Sequence, residues 1–379
     1  MLEKGYAIAF DSHYLIIRDI PYLDSKQALQ IGTIVSKLVF TDQETVVQED
    51  HQVFFAGSAP HHLDGKSMQN LGGGPVSIQL SEISKDVEVQ RSFSNKPKGK
   101  DKFQDFFEKI EHYVTIISGP AIELHKANPY TFRAVKEIIP DSIFKIHDTL
   151  TSRAEIGDLS SKFRNEVVAV IGLGGTGAYI LDFLIKTPVR EIRAFDLDLF
   201  YVHNAFRSPG KVSMDELKLS KAEVYRSRYE NFRTGLSFEP KLVDSSSQKD
   251  IEGVTFAFVC VDKGSSRKEI LDLLISNGIP FIDVGMGVKR KDDALKGALR
   301  TTYYSTEHGQ NVRNQQLSPE IDEQNDLYRT NIQISELNAL NACLAVIKFK
   351  QIKGFYKEEN SFYHLLFEVS ELKLYGESE

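Results

Sequence analysis

Cysteine is almost absent from this 379-residue chain, which contains only Cys260 and Cys343. Two thiols exclude a disulfide framework and any four-cysteine zinc site held within one chain. Long apolar runs are missing as well. None approaches the roughly eighteen residues that a membrane helix needs, so neither a membrane span nor a secretory signal is expected. Nor is positive charge in excess: 46 Lys and Arg face 53 Asp and Glu, a net charge of −7. That balance argues against general nucleic-acid binding and leaves room for a local basic patch. With 41% apolar and 26% charged residues the composition is that of a globular, cytoplasmic protein, and the length predicts two domains.

What is present centres on residues 167–207. An apolar run, Val167 to Ile171, leads through Gly172, Gly174, Gly175 and Gly177 into a helical segment from Ala178 to Lys186, and a second strand, Glu191 to Phe195, ends on Asp196. This is the pattern of a βαβ unit. Its glycines let the backbone approach a phosphate at a helix N-terminus, and a carboxylate about twenty residues on can hold a ribose. On those residues alone a nicotinamide or flavin dinucleotide fits as well as ATP. The continuation favours a triphosphate. Asp198 precedes an aromatic turn and Asn204-Ala205-Phe206-Arg207, and Ser220-Lys221-Ala222 opens a further helix. An amide, a guanidinium and an ammonium can thus converge on phosphates. Backbone amides suffice for the pyrophosphate of a dinucleotide, whereas a triphosphate must have its charge neutralised before a leaving group departs.

Ahead of this unit, strand-like stretches at 6–10, 14–20, 32–40, 51–56 and 76–80, separated by turn residues, predict a small, largely antiparallel sheet. His51, His61 and His62 read as loop histidines, and Gly72-Gly73-Gly74 as a flexible loop. After the basic connector Lys96 to Lys100, apolar residues from Phe103 to Ile117 recur at helical spacing, and Gly119-Pro120 is expected to end that helix. Residues 128–146 read as irregular, then helical. The polar segment 148–162 joins the two domains: residues 1–150, a smaller α+β domain of unassigned role, and residues 151–379, an α/β domain with a doubly wound, mostly parallel sheet. Beyond Lys221, strands are expected at 236–242, 254–261, 280–284 and 297–304, helices at 221–231, 265–277 and 334–350, and a hairpin within 355–374. In the last helix, Leu337, Leu340, Cys343, Leu344 and Ile347 are placed on or near one face. Thr306 to Thr330 reads as a polar, substrate-facing loop. Asp262 follows the strand containing Cys260, on the ligand side of the sheet, where it is a candidate magnesium ligand.

With Gly-Leu-Gly-Gly-Thr-Gly at 172–177, Asp196-x-Asp198, Asn204-x-x-Arg207, Lys221 and Asp262 in that order, residues 163–350 resemble the ThiF/MoeB superfamily. These are the adenylating domains of ubiquitin-activating enzymes and their bacterial relatives. The N-terminal part resembles an uncharacterised domain that precedes such domains in bacterial proteins. The resemblance implies a Rossmann-like adenylating fold that uses ATP and Mg2+ to adenylate the C-terminal carboxylate of a ubiquitin-like protein. A conjugating enzyme or a sulfur carrier would be a further partner. A peptide or a modified tRNA base as substrate, and a non-catalytic adaptor half of a heterodimeric activating enzyme, are the alternatives. By the same resemblance Asp196 holds the ribose, Gly174 and Gly175 admit the phosphates, Asn204 and Arg207 contact the phosphate chain, Lys221 stabilises the transition state and Asp262 holds magnesium. The resemblance also implies a homodimer in which an arginine reaches into the partner's site, and Arg153 is the candidate here. Two family features are missing: the Cys-x-x-Cys pairs that bind zinc, and a cysteine in the loop 306–330. Cys260, in a buried strand beside the negative charge of Asp262, and Cys343, in a core helix, are expected to be inert, so no thioester is expected on this chain.

Overall fold

The computed structural model describes residues 1–378 except 12, 42–44, 81–83, 98, 134–142, 147, 149, 152, 153, 155 and 322–331. Arg153, most of the expected helix within 128–146 and part of the expected loop 306–330 therefore lie outside the described residues. The chain divides into two compact units, Met1–Ser142 with Ile146–Asp158, and Ile143–Lys145 with Leu159–Glu379. Among the described residues no helix is long and apolar enough to cross a membrane.

In the first unit, β1 (Ala7–Asp11), β2 (Tyr14–Leu23) and β3 (Leu29–Lys37) pair antiparallel. A short ribbon of β4 (Val39–Phe40) and β5 (Val46–Val47) follows, and β6 (Val53–Ala56), β7 (Gly74–Ile78) and β8 (Val89–Phe93) complete an antiparallel sheet of order β1-β2-β3-β6-β8-β7. Strand alternation gives this sheet two apolar faces. Leu15, Ile17, Ile34 and Phe55 cluster with Ile110, Tyr113, Val114 and Ile117 of helix α1 (Phe106–His125), while Ala9, Ile16, Val35 and Val89 form a separate cluster. Asp105 starts α1, its side chain accepting the Glu108 N–H at 2.7 Å.

The helix does not end at Gly119-Pro120. Pro120 removes one donor from the helix interior, but the buried stripe of Ile110, Val114 and Ile117 continues across it to Ala121, and Lys126, in the left-handed conformation, closes the helix. Gly72 and Gly73 are a fixed turn rather than a flexible loop. Both have positive φ, and a Cβ on Gly73 would lie 2.1 Å from the Ser92 carbonyl oxygen.

The second unit is built on an eight-stranded sheet. Its strands are β9 (Val167–Ile171), β10 (Glu191–Phe195), β11 (Leu236–Glu239), β12 (Phe256–Val259), β13 (Phe281–Lys291), β14 (Ala294–Tyr304), β15 (Phe362–Glu368) and β16 (Lys373–Ser378), in the order β11-β10-β9-β12-β13-β14-β15-β16. The pairings from β11 to β13 are parallel and the last three antiparallel. The apolar runs of β9 and β12 are buried on both faces, as parallel strands between helical layers must be. On one face Val168 and Val170 pack with Leu181 and Leu184 of α2 (Gly175–Ile185). On the other, Val167, Ala169 and Ile171 pack in the cluster that holds Ile270, Leu271 and Leu274 of a later helix, Gly264–Ser276. Each of the valines, leucines and isoleucines among them contributes about 1.5–3 kcal/mol when fully buried. The fully buried guanidinium of Arg233 donates to the carbonyls of Leu184, Thr187 and Val189, satisfying the end of α2.

The fold is α/β and doubly wound, as expected, with some boundaries displaced. β13 does not stop at Val284 but runs through Gly285-Met286-Gly287, because the missing side chain of Gly285 makes room for Arg300, whose Nη2 would lie 2.8 Å from a Cβ there. The core face of the helix Ser335–Ile352 also differs from the expected one. It is formed by Asn338, Asn341, Ala342, Ala345, Val346 and Phe349, while Leu337, Leu340 and Leu344 are half-buried and Ile347 is 45% exposed. Small and polar side chains let this helix sit close against α2 and the sheet. Within the segment read as a polar loop, Gly309–Asn314 is helical.

Candidate functional site

The strand order of the parallel sheet reverses between β9 and β12, so their C-terminal ends part and leave a crevice. A cleft of about 1030 Å³ opens there. Among the described residues its lining carries seven Lys and Arg against three Asp, on a chain whose net charge is −7. The protein thus concentrates positive charge where an anion would enter.

The glycines divide the work. Gly172 has φ +95° and its Cβ would lie 2.8 Å from the Cys260 carbonyl oxygen, so it makes the turn off β9. Gly177 and Gly175 serve packing: a Cβ would lie 1.9 Å from the Gly172 carbonyl oxygen at the first and 2.2 Å from Asn338 Nδ2 at the second. Gly174 alone of these faces open space, at the N-cap of α2, where no side chain caps the helix. Its missing side chain leaves the backbone there accessible to an anion.

Asp196 clamps this turn. Its Oδ2 accepts the Leu173 N–H at 2.6 Å, and its Oδ1 accepts the Asp198 N–H at 2.8 Å. Lys221, buried at the start of helix α4 (Lys221–Tyr229), reaches both carboxylates, with Nζ 3.2 Å from each oxygen of Asp196 and 2.8 Å from Asp198 Oδ2. The reciprocal cap of Ser220 and Glu223 fixes the first turn of that helix, so the ammonium is held in place before any ligand arrives. Asn204, buried in the short helix α3 (Val202–Ala205), accepts the Tyr201 N–H at 2.8 Å. Arg207 lines the cleft and its buried Nε has no partner among the described residues. Burial, and then the charges of Arg207 and Lys221, lower the His203 imidazole below its ordinary range, so it is neutral at physiological pH. Asp262 stands exposed in the cleft just past β12.

The cleft thus brings together Gly172, Gly174, Gly175, Asp196, Asp198, Asn204, Arg207, Lys221 and Asp262. Two features escaped sequence reasoning. Asn338 accepts from Thr176 Oγ1 at 2.9 Å and donates to the Arg207 carbonyl at 3.4 Å, tying the glycine turn to the arginine. Its signal was an asparagine among small residues on a helix, which periodicity passes over. The second is a buried triad of Arg267, Asp283 and Arg300, joined by Ser318: Asp283 accepts from Arg267 Nε at 3.1 Å, Arg300 Nη2 at 2.6 Å and Ser318 Oγ at 2.6 Å. Burial alone would raise the Asp283 carboxyl, but the charges of Arg300 and Arg267 and the bonds from Ser318 and Arg300 outweigh it and hold it below the usual range.

Neither thiol is an activated nucleophile. Cys260 lies just beyond β12 rather than inside it. Burial, and then the charge of Asp283 rather than that of Asp262, push its thiol up, far from the thiolate form. Cys343 is half-buried and its thiol is also raised by burial.

The ThiF family profile matches residues 150–374, and a domain of unknown function, DUF6791, matches residues 1–149. Among curated proteins, the tRNA threonylcarbamoyladenosine dehydratase 2 of Saccharomyces cerevisiae is 24% identical over 154 residues, covering 38% of this chain and 34% of that protein. The match thus spans about a third of the relative's own length. Among solved structures, that of E. coli MccB with ATP superimposes with a TM-score of 0.42 at 15% identity, over 58% of this chain and 65% of that one. The structure of selenomethionine-labelled PaaA gives a TM-score of 0.47 at 13% identity, over 81% of this chain and 98% of that one.

Proposed function

The chain belongs to the ThiF family, and we propose that it activates a carboxylate by adenylation, with ATP as co-substrate and the C-terminal carboxylate of a ubiquitin-like protein as the group activated. The observation that carries this reading is Arg207. Its buried Nε lacks a partner among the described residues, in the cleft that also presents Lys221 and the open Gly174. A phosphate oxygen would satisfy that donor.

In the proposed reaction an oxygen of the substrate carboxylate attacks the α-phosphorus, the bond to the bridging oxygen of pyrophosphate breaks, and an acyl adenylate and pyrophosphate result. Negative charge grows on the phosphate oxygens, so the chain's contribution is positioning and electrostatic stabilisation. Gly174 admits the phosphates to the end of α2. Asp196, fixed by two backbone N–H groups, accepts from the ribose hydroxyls. Asn204 and Arg207 hold the phosphate chain, and Lys221 shifts from the exposed Asp198 toward the phosphate undergoing attack. For magnesium, the described residues contain no cluster of three or more His, Cys, Asp or Glu, but a cation that keeps its waters and binds substrate phosphates needs only one or two carboxylates. Asp262, exposed in the cleft, fits that part. Magnesium would supply further neutralisation of phosphate charge.

The adenylate then passes to a thiol or sulfur carrier outside this chain, because neither cysteine suits the transfer. Incubation with substrate and MgATP should leave no thiol-sensitive adduct on a non-reducing gel; an adduct that vanishes in Cys343→Ala would refute this step. Nucleotide identity is tested by heat. At a hundredfold excess over Kd, MgATP should stabilise the protein by about 2.7 kcal/mol, raising Tm by roughly 5–10 °C. Protection by NAD with none by ATP would instead indicate a dinucleotide enzyme.

A carboxylate on a modified nucleoside is the second substrate class, the one that the name of the yeast relative suggests. The exposed lysines Lys289 and Lys291 at the end of β13, beside the Asp292-Asp293 turn, are the feature that favours it.

A further inference from the structure

The helix Ser335–Ile352 carries two buried asparagines one turn apart, and they serve different neighbours. Asn341 is committed to the sheet: its Nδ2 donates to the Gly285 carbonyl at 3.0 Å and its Oδ1 accepts from Thr301 Oγ1 at 3.2 Å. Asn338 turns to the nucleotide end and lines the cleft. Its Oδ1 accepts from Thr176 in the first turn of α2, its Nδ2 donates to the Arg207 carbonyl, and its amide fills the space that a Cβ on Gly175 would need. Burying an amide in a core face of small residues is costly unless its polar ends are bonded. Both ends of Asn338 go to segments that face the phosphate end of the cleft rather than to the core beneath it.

Two anchors make this asparagine a fixed reference point. The hydroxyls of Tyr179 and Ser335 bond at 2.6 Å and join the first turn of its helix to α2. From the other side the Asn204 carbonyl accepts the Arg207 N–H at 3.2 Å and Ser208 Oγ at 2.7 Å. The backbone of Arg207 is thus held at both of its polar groups, the N–H by Asn204 and the carbonyl by Asn338, while its buried Nε has no partner among the described residues. We infer that Asn338 is a positioning residue for Arg207: it sets the height of the arginine over the glycine turn, so that the N-terminus of α2 and the guanidinium meet one phosphate chain together. The inference rests on the reading that the cleft takes ATP, and it names the residue that sets the geometry of that site. Asn338 acts through Arg207 and Thr176, by geometry rather than by charge.

The test reads MgATP affinity by calorimetry, and Tm, for the full chain as wild type, Asn338→Leu, Asn341→Leu, Arg207→Ala and the double variant of Arg207→Ala with Asn338→Leu. Leucine keeps the branched shape of asparagine and removes its hydrogen bonds, so Asn338→Leu should fold. It should weaken MgATP about tenfold, the change expected when one or two modest hydrogen bonds are lost. Asn341→Leu, the control on the same helix, should lower Tm and leave MgATP affinity within about twofold. Residues of one network are not additive, so in the Arg207→Ala background Asn338→Leu should cost no more than about a further twofold. Should Asn338→Leu melt far below wild type, Thr176→Val, which removes only the Thr176 bond to Asn338, carries the same comparison: about threefold weaker binding alone, and no further change on Arg207→Ala. An undiminished effect in the Arg207→Ala background, an equal loss in Asn341→Leu, or unchanged affinity in Asn338→Leu would overturn the inference while the adenylation reading stands. Failure of the wild type to bind MgATP, or full affinity in Arg207→Ala, would remove the reading with it.

Discussion

Lys221→Ala should lower pyrophosphate–ATP exchange by about two orders of magnitude or more, since one preorganised charge aimed at a transition state is worth roughly 3–4 kcal/mol. Lys221 is buried, fixed at the head of a capped helix, and held 2.8 Å from Asp198 Oδ2 before substrate binds. The variant should fold, because Asp196 keeps its bonds from the N–H groups of Leu173 and Asp198. Its Tm therefore separates lost chemistry from lost structure. Lys221→Arg should restore little, as a broad fork cannot take the place of a compact ammonium between two carboxylates. Near-normal exchange in Lys221→Ala would transfer the role to Lys241 or Lys263, the other lysines near the nucleotide end of the cleft.

The largest structural effect should come from Asp283→Ala. Asp283 is fully buried between Arg267 and Arg300, and removing it leaves two desolvated guanidinium groups without their anion. Breaking such a buried network costs about 3–5 kcal/mol, a fall in Tm of about 10 °C or more for a unit of this size. The effect extends to the wall of the cleft at residues 318 and 319, since Arg267 also donates to the Pro319 carbonyl at 2.9 Å and Arg300 to Ser318 Oγ at 2.8 Å. The pH dependence follows from the sign of the shift. The Asp283 carboxyl is held below the ordinary value of 3.8, so its contribution is complete above that value and is lost as pH falls through its folded pKa. Melts from pH 7 down to pH 3 should show this acid-labile component in wild type and not in Asp283→Asn. An Asp283→Ala protein with unchanged Tm would show that the triad carries no stability.

Much of the candidate nucleotide end could be read from the sequence because its residues are placed locally. Gly172, Gly174 and Asp196 are placed by one βαβ unit, and Asn204, Arg207 and Lys221 follow within one continuous stretch, so their order along the chain reflects their order in space. Gly175 and Gly177 carried the right motif for a different reason, since each leaves room for a neighbour rather than for a phosphate. The triad of Arg267, Asp283 and Arg300 was hidden because its members belong to a helix, a parallel strand and an antiparallel strand, and no period links them. The long helix shows the same limit from the other side. Its leucines predicted the core face, but the tight approach to α2 selected Asn338, Ala342 and Ala345 instead. Pro120 illustrates a local rule overridden by packing. Of the histidines read as loop residues, His51 bonds Ser94 Oγ at 2.9 Å.

The most direct measurement of the central claim is the transfer of labelled pyrophosphate into ATP by the full chain in the presence of magnesium and a carboxylate-terminated polypeptide. Adenylation predicts exchange that requires all three components, disappears when the carboxylate is amidated, and falls by about two orders of magnitude in Lys221→Ala. Absence of exchange under conditions in which calorimetry shows ATP and the polypeptide both bound would contradict it.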